Sequence, residues 1–518
     1  MNLRLQALCA LAGALCLGIS ISTHADPLTV KTDLGKVHGK TINDGKVRAW
    51  LGLPYAAPPV GDLRWKAPQP AAKWKGERDA TKFAAHCAQN HVFDDMVFQD
   101  AAPSEDCLFL NVYAPATADS KSNLPVMFWI HGGGFSGGGS SEPRHNGDFL
   151  PLKGVVLVTI NYRLGVFGFL ATSELAKEGN GSAGNYGLMD MVAALQWVKG
   201  NIKDFGGDPS NVTIFGESAG SFAVSTLMAS PMAQGLFAKA IGESGGALGA
   251  GPLNYEPVAA RTEKDDKWAA TLNVTSLAQL RALPTQTILD AVKRTGFPPD
   301  LDGKVLTQQV ADTYAAGKQA HVPLLAGWNA DEGSFFAMGG MTTAKWKARA
   351  TDQFKDRAEE FLKLYPGDTD AQALRSAIDY GSDAFIAFGT WSWLEAHRKS
   401  GDSPVYRYHF ELAATPSKYH PGTFAFHSDD IEYVFGTLDT RPGWKVSDDD
   451  RKLSDEMMTY WTNFAKTGDP NGGGLPAWPK YNDDGYPLIH LNTTITSGPD
   501  TLRDRYLFLQ EGMPGLRF

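Results

Sequence analysis

The sequence contains no run rich in lysine or arginine, no internal repeat and no low-complexity tract. Its 57 acidic residues exceed its 48 basic ones, for a formal charge of −9, so nucleic acid is not predicted as a partner. Beyond residue 25 it also lacks any long apolar stretch, which argues against a membrane-spanning helix there. The composition, 43% hydrophobic and 20% charged residues, is typical of a globular protein with a large core.

The sequence has only four cysteines, and the number that remains in the mature protein depends on whether the N-terminus is a cleaved signal peptide. Residues 1–4 carry a positive charge, residues 5–21 are largely apolar, and small residues lead to a potential cleavage point after Ala25. This pattern predicts a signal peptide over residues 1–25. An uncleaved anchor is the alternative, but the apolar run is short for a membrane span. The mature protein is therefore expected to be secreted or periplasmic, without attachment to a membrane.

Two of the four cysteines, Cys87 and Cys107, lie beyond that segment. In an oxidising compartment an even pair at this spacing suggests one disulfide, and two buried free thiols are the alternative. Closing a loop of this length stabilises a fold by about 3 kcal/mol on the chain-entropy account.

Short β-rich runs alternate with helical patterns through the first half of the chain. This order predicts an α/β fold with a mainly parallel sheet flanked by helices. Strands are predicted at 124–130, 155–160, 211–215, 238–241, 322–327 and 405–410, and helices at 188–198 and 219–228. Residues 255–320 and 340–400 have mostly helical patterns. No linker rich in proline, glycine and serine separates a second unit, so residues 26–518 are predicted to form a single domain.

The pattern G-x-S-x-G occurs three times, around Ser136, Ser218 and Ser244. A nucleophilic serine of this type sits on a sharp turn between a strand and a helix, which exposes its hydroxyl above the sheet. Of the three, Ser218 alone has an apolar β-rich run just before it and a helical run just after it. Glycines follow Ser136 and Ser244 instead and do not favour a helix. Ser218 is therefore the predicted nucleophile.

Acyl transfer also requires hydrogen-bond donors for the oxyanion of the tetrahedral intermediate. The glycine-rich stretch 131–135 follows the predicted strand 124–130, and glycines let backbone N–H groups approach a substrate oxygen without a Cβ in the way. A flexible turn is one alternative, and a phosphate-binding loop is another, although the chain has no G-x-x-x-x-G-K-[ST] motif. The predicted donors are Gly133, Gly134 and the residue after the nucleophile, Ala219.

A serine nucleophile needs a histidine base and an acid that orients it, and in this fold the chain order is Ser, acid, His. The adjacent carboxylates Asp331 and Glu332 follow the predicted strand 322–327, where the acid is expected. Among the later histidines, His420 and His427 lie in an irregular segment that can present a base. From the residues alone, both the acid and the base stay open.

Taken together, these motifs resemble the carboxylesterase type B family, which includes cholinesterases and bacterial carboxylesterases. The resemblance extends over nearly the whole mature chain, and several motifs in the right order are more specific than any one of them. The matching segments are 52–59, 105–112, 131–135, 205–209, 215–220, 331–336, 427–436 and 464–470.

The resemblance implies an α/β-hydrolase fold and resolves both open choices. The family's acid corresponds to Glu332 and its base to His427. A supporting network around the triad is expected to include Glu217, Ser244 and Asp430. The same resemblance implies the disulfide between the two cysteines of the mature chain. It also implies an ester hydrolase that uses neither a metal nor an organic cofactor.

Differences from the family indicate the substrate class. Cholinesterases carry a tryptophan that binds choline ten residues before the position of Cys107, and here that position is Val97. Phe335 and Phe336 remain next to the acid and are predicted to line the pocket. The chain is therefore predicted to be a general carboxylesterase acting on small-molecule esters. A lipase or an amidase of the same fold is one alternative, and a non-catalytic interaction protein is another; oligomeric state is not predicted.

Overall fold

A computed structural model of the chain describes residues 26–249, 255–293, 295–337, 339–416 and 422–512, without the side chains of 336 and 337. The predicted signal peptide, 1–25, lies outside these ranges, so its presence and cleavage stay predictions. Within the described ranges, no helix combines the length and the apolar character needed to cross a membrane.

In the described part of the chain, eleven strands form one large sheet, and three short ones form a separate small sheet. The strands are β1 Thr29–Lys31, β2 Lys36–His38, β3 Lys40–Ile42, β4 Val47–Pro54, β5 Glu77–Asp79, β6 Phe109–Pro115, β7 Leu124–Ile130, β8 Val156–Ile160, β9 Gly207–Glu217, β10 Lys239–Glu243, β11 Leu324–Asn329, β12 Val405–Phe410, β13 Leu488–Leu491 and β14 Thr496–Gly498. The large sheet has the order β14-β13-β12-β11-β10-β9-β7-β8-β6-β4-β3, and the small one β1-β2-β5.

The centre of the large sheet is parallel, as the sequence predicts. Strands β8, β7, β9, β10, β11, β12 and β13 pair in parallel, and antiparallel pairs lie at both edges. The six predicted strands correspond to β7 to β12, with ends that differ by up to four residues. Parallel strands are buried on both faces, and every residue of β8, β10 and β11 is buried accordingly.

Helices connect and flank these strands. Their bounds are α1 Gly165–Phe169, α2 Ser173–Glu178, α3 Tyr186–Asn201, α4 Ala219–Ala229, α5 Val258–Ala270, α6 Leu277–Ala282, α7 Thr285–Val292, α8 Val310–Ala315, α9 Thr343–Phe354, α10 Ala358–Leu364, α11 Asp370–Ser382, α12 Phe388–Lys399, α13 Ile431–Phe435, α14 Asp448–Thr467 and α15 Arg503–Glu511. The π-helical segment Asp383–Ala387 joins α11 to α12.

The sheet separates two hydrophobic cores. Successive side chains of a strand point to opposite faces, so Phe128 of β7 packs in one core and its neighbour Trp129 in the other. The first core contains the buried faces of α3 and α4, and the second contains α13 and α14. Helices cover both faces of the sheet. The loops that follow the parallel strands therefore start at the carboxyl ends of these strands, all on one side of the fold.

The predicted disulfide between Cys87 and Cys107 is present, with Cα atoms 4.9 Å apart. Both cysteines are buried in the first core. Beside the bridge, Gln89 binds Gly138 twice: its side-chain amide donates to the carbonyl oxygen at 2.8 Å and its carbonyl accepts from the N–H at 2.8 Å. The disulfide therefore anchors a segment that holds the glycine-rich loop after β7.

Candidate active site

Ser218 lies at the turn between β9 and α4, as its local sequence predicts. Its φ of 53° places a non-glycine residue in the left-handed region, a conformation that costs about 1–3 kcal/mol and persists where the surroundings enforce it. The flanking glycines are required by close packing: a Cβ on Gly216 or Gly220 would collide with the carbonyl oxygen of Ile130. The turn therefore holds the Ser218 side chain at the carboxyl end of β9.

Three side chains from distant parts of the chain form a continuous hydrogen-bonded row. The Nε2 of His427 lies 2.8 Å from the Oγ of Ser218, and its Nδ1 lies 2.5 Å from the Oε2 of Glu332. Glu332 is fully buried on the turn that follows β11. With Nδ1–H donating to the carboxylate, Nε2 of the neutral imidazole is the acceptor for the serine hydroxyl.

The other oxygen of Glu332 is held by two donors. Its Oε1 accepts a hydrogen bond from Ser244 Oγ at 2.5 Å and another from the backbone N–H of Asn329 at 2.8 Å. Since Asn329 ends β11 and Ser244 directly follows β10, the sheet itself fixes the carboxylate. Among the three serines of the G-x-S-x-G pattern, Ser244 thus contacts the acid, whereas Ser136 donates to the carbonyl of Gly134 at 3.2 Å.

Asp331, the neighbour of Glu332, faces a different set of groups. Its Oδ1 accepts from Arg375 Nη1 at 2.6 Å, and its Oδ2 accepts from the backbone N–H of Ala425 at 3.0 Å. Of the two adjacent carboxylates, Glu332 is therefore the one bound to His427. The other histidine candidate, His420, lies outside the described residues.

The glycine-rich loop packs directly against the serine turn. A Cβ on Gly132 would lie 2.7 Å from Glu217 Oε2 and 3.1 Å from Ser218 Cβ. Gly133 and Gly134 follow with φ of 100° and 62°, and a Cβ on Gly133 would collide with the carbonyl group of Gly137. On the other side of the serine, Ala219 begins α4, and the first N–H groups of a helix have no intrahelical acceptor.

The predicted supporting residues surround this row. Glu217 Oε1 accepts from Ser428 Oγ at 2.6 Å and lies 3.4 Å from His427 Nε2. Asp430 is linked to the acid through Asn329, whose side-chain amide donates to Asp430 at 3.1 Å. Tyr408 also donates to Asp430, at 2.8 Å.

Burial and charge act against each other on these groups. Burial raises the pKa of Glu217 to about 7, although the nearby His427 favours its ionised form. For His427, burial opposes the charged form, but the carboxylates of Glu217 and Glu332 outweigh it and raise the pKa to about 9. Burial and the charge of Glu332 raise the pKa of Asp430 to about 6. The surroundings thus favour the imidazolium form of His427.

Aromatic side chains border the histidine. The ring of Phe385 meets that of His427 edge-on at 5.2 Å between centroids, and the ring of Phe335 meets Phe385 edge-on at 5.4 Å. Phe335 is 46% exposed. The side chain of Phe336, also predicted to line the pocket, lies outside the described residues. An apolar surface therefore leads to the row of Ser218.

Four residues of the site do not follow from the sequence reasoning: Asn329, Tyr408, Ser428 and Phe385. Asn329 stands three residues before Glu332 and two residues beyond the predicted strand 322–327, and Ser428 directly follows His427. Proximity to these two residues along the chain was the available signal. Phe385 belongs to the π-helical segment between α11 and α12. No motif in the sequence links that segment to the histidine.

The chain is similar to known esterases in both sequence and structure. Residues 26–507 match the family described as the carboxylesterase family. The chain is 37% identical to fumonisin B1 esterase of Sphingopyxis macrogoltabida, with 94% of this chain and 90% of the relative covered. It is 36% identical to para-nitrobenzyl esterase of Bacillus subtilis (93% and 99% covered) and 36% identical to carboxylesterase 1D of Rattus norvegicus (90% and 90%). A solved structure of PNB esterase superposes with a TM-score of 0.80 at 33% identity, covering 93% of this chain and 99% of that one.

The sheet, its flanking helices and these structural neighbours define an α/β hydrolase that acts on carboxylic esters. The chain belongs to the carboxylesterase family.

Proposed function

We propose that Ser218, His427 and Glu332 form a catalytic triad that hydrolyses small-molecule carboxylic esters through an acyl-enzyme on Ser218. The observation that carries this proposal is the row of two hydrogen bonds, 2.8 Å from Ser218 to His427 and 2.5 Å from His427 to Glu332. Nucleophile, base and orienting acid within hydrogen-bond reach are the arrangement that activates a serine.

In the proposed reaction, Ser218 Oγ attacks the ester carbonyl carbon and its proton passes to His427 Nε2. The tetrahedral intermediate collapses as His427 returns this proton to the leaving alcohol, which gives the acyl-enzyme. Water then attacks the acyl carbon, His427 takes its proton, and Ser218 recovers the proton as the carboxylic acid leaves. Glu332 accepts the hydrogen bond from Nδ1–H of His427 throughout, and its negative charge stabilises the imidazolium.

The oxyanion of both intermediates is proposed to bind the backbone N–H groups of Gly133, Gly134 and Ala219. Support comes from the contact of the glycine-rich loop with Ser218 and from the position of Ala219 at the first turn of α4. Developing negative charge is favoured at a helix N-terminus. Loss of one such donor typically lowers kcat by about 10²–10³-fold.

Esters with an apolar acyl or alcohol group fit the surroundings of the triad best. The support is the exposed ring of Phe335 and its contact with Phe385, the neighbour of His427. Val97 occupies the position where cholinesterases carry a choline-binding tryptophan. Relatives that share most of the chain include a para-nitrobenzyl esterase and a fumonisin B1 esterase. We therefore propose a general esterase without a dedicated site for choline.

Covalent labelling tests the nucleophile directly. A fluorophosphonate probe is expected to modify Ser218 stoichiometrically, with the adduct located by mass spectrometry of the digested protein. The variant Ser136→Ala is the matched control, because Ser136 has the same flanking glycines and is expected to leave labelling unchanged. Labelling of another serine, or none in a folded sample, would exclude the proposed nucleophile.

The acidic limb of kcat/KM is expected to shift to lower pH in Glu217→Gln. The base must be neutral to accept a proton, and the charge of Glu217 helps raise the pKa of His427 to about 9. Removing that charge lowers the pKa of His427, so a larger neutral fraction exists at each pH. The difference in rate between Glu217→Gln and the unaltered protein should be greatest above about pH 7, because Glu217 is ionised there.

A pH-rate profile between pH 5 and 10 measures this shift, in steps of about half a unit, which resolve effects as small as one pKa unit. Glu263→Gln is the control, since it removes the same charge at an exposed position where Glu263 pairs with Lys267. A midpoint that stays in place or moves to higher pH in Glu217→Gln would contradict the electrostatic account.

Export of the mature protein is also part of the proposal. Its support is the signal-like sequence of residues 1–25 and the disulfide between Cys87 and Cys107. Disulfides persist mainly in oxidising compartments.

A further inference from the structure

Two histidines and a glutamate converge on the outer part of the large sheet. His409 of β12 and His490 of β13 are directly opposite each other in a parallel pair. Glu411 directly follows β12 and comes two residues after His409, and alternate residues of an extended chain point to the same side. The Nδ1 of His409 lies 2.9 Å from Glu411 Oε1, and the Nδ1 of His490 lies 2.6 Å from the same oxygen.

The geometry points to a binding site for a divalent transition-metal ion, Zn²⁺ by preference, held by His409, Glu411 and His490. Each residue offers one donor atom, and the three donors lie within 4.8 Å of one another. Two imidazole nitrogens and one carboxylate oxygen are a common zinc ligand set, with a further position left for water or another ligand. Two neutral histidines and one carboxylate leave a net negative charge that favours a cation.

The surroundings of the three residues suit such an ion. Their side chains are 12%, 29% and 27% exposed for His409, Glu411 and His490, so solvent can reach the open coordination position. The backbone is fixed, since the N–H of Glu411 donates to the carbonyl of Leu491 at 2.8 Å. Each imidazole Nδ1 needs to move only about half an ångström away from Glu411 Oε1, because ligands of a tetrahedral zinc ion lie roughly 3.3 Å apart. The three donors together already lie within 4.8 Å of one another.

Metal binding requires a simple change of protonation. In the hydrogen-bonded arrangement, each neutral imidazole donates its Nδ1 proton to the carboxylate. With the ion bound, that proton resides on Nε2 and Nδ1 supplies its lone pair to the metal. Ligation therefore moves a proton from one nitrogen of each neutral imidazole to the other and releases none.

A bound ion would link β12 to its neighbour β13 at the point where the chain leaves β12 towards His427. After Glu411 the chain leads to His427, and within it the carbonyl of Ala425 accepts from the N–H of Asp331 at 2.9 Å. None of the three ligands belongs to the proposed triad. A bound ion is thus expected to stabilise this edge of the sheet without entering the hydrolytic reaction.

Metal binding by the untagged protein tests the inference. After treatment with EDTA and dialysis against Zn²⁺, the protein should retain one zinc per chain by elemental analysis, and Co²⁺ should give the visible absorption of a nitrogen- and oxygen-ligated ion. Zn²⁺ should also raise the melting temperature by about 2–4 °C. His490→Gln and Glu411→Gln should lose zinc affinity by at least ~10–100-fold, the cost typical of even an outer-shell partner.

His91→Gln serves as the control, because His91 also pairs with a carboxylate, Asp94, but is 70% exposed. It should bind zinc like the unaltered protein. Circular dichroism and hydrolysis of a p-nitrophenyl ester verify that the Glu411 and His490 variants are folded. The inference would be overturned if the unaltered protein retained less than one zinc per chain. It would also be overturned if Glu411→Gln and His490→Gln bound zinc as tightly as the unaltered protein. Failure of the triad proposal would leave zinc binding unchanged, so the two outcomes are separable.

Discussion

Ser218→Ala is expected to lower kcat for a p-nitrophenyl acyl ester by a factor on the order of 10⁶, the loss seen when a serine nucleophile is removed from a triad. The hydroxyl oxygen of Ser218 is the atom that bonds to the acyl group. His427, whose Nε2 lies 2.8 Å from that oxygen, acts as the base and does not replace it as the nucleophile. What remains should be the weaker catalysis supplied by the oxyanion donors and substrate binding. Steady-state rates, corrected for the active fraction, measure the effect.

The same substitution should leave the fold intact. Alanine at a φ of 53° still occupies a strained backbone conformation, and the serine hydroxyl contributes one hydrogen bond that reaches a partly exposed histidine. Thermal unfolding of Ser218→Ala should therefore stay close to that of the unaltered protein. Ser136→Ala provides the kinetic control, with turnover expected to be unchanged. A Ser218→Ala protein that keeps near-normal turnover would refute the proposed mechanism.

The sequence was sufficient to predict that Ser218, the proposed nucleophile, lies on a turn between a strand and a helix, because the surroundings of this residue are local. Ser218 stands between a run of β-forming residues and a helical run, and the collisions at Gly216 and Gly220 explain why the turn requires both glycines. The parallel centre of the sheet was predicted for a similar reason, since strands buried on both faces have continuous apolar sequences. The antiparallel edge strands and the small sheet β1-β2-β5 have no such pattern and were not predicted.

The proposed acid and base could not be derived from local pattern alone. Asp331 and Glu332 are adjacent carboxylates after the same strand, and only the contacts of β10 and β11 decide which of them faces His427. The family resemblance supplied that choice. Phe385 was missed because its place beside His427 depends on how α11 and α12 pack, which has no signature in the sequence.

Glu332→Gln is expected to lower kcat by about 10⁴-fold, although it changes the side chain by a single group. The reason lies in the donors around the carboxylate. The backbone N–H of Asn329 can only donate, and Ser244 donates to the same oxygen, Oε1. These donors will hold the amide oxygen of Gln on their side, so the amide NH₂ will face Nδ1 of His427. That nitrogen must then accept, which places the imidazole proton on Nε2, where the serine proton has to arrive.

Kinetics with the adjacent substitution distinguish this account from a general loss of charge. Asp331→Asn makes the same change one residue away, where the side chain contacts Arg375 and the N–H of Ala425 instead of the histidine. Its kcat should remain within about tenfold of normal, since Asp331 makes its hydrogen bonds to Arg375 and Ala425 and not to the histidine. Comparable losses in both variants would mean that charge near His427, and not the orientation of its proton, limits the reaction. A Glu332→Gln enzyme of near-normal activity would remove Glu332 from the triad.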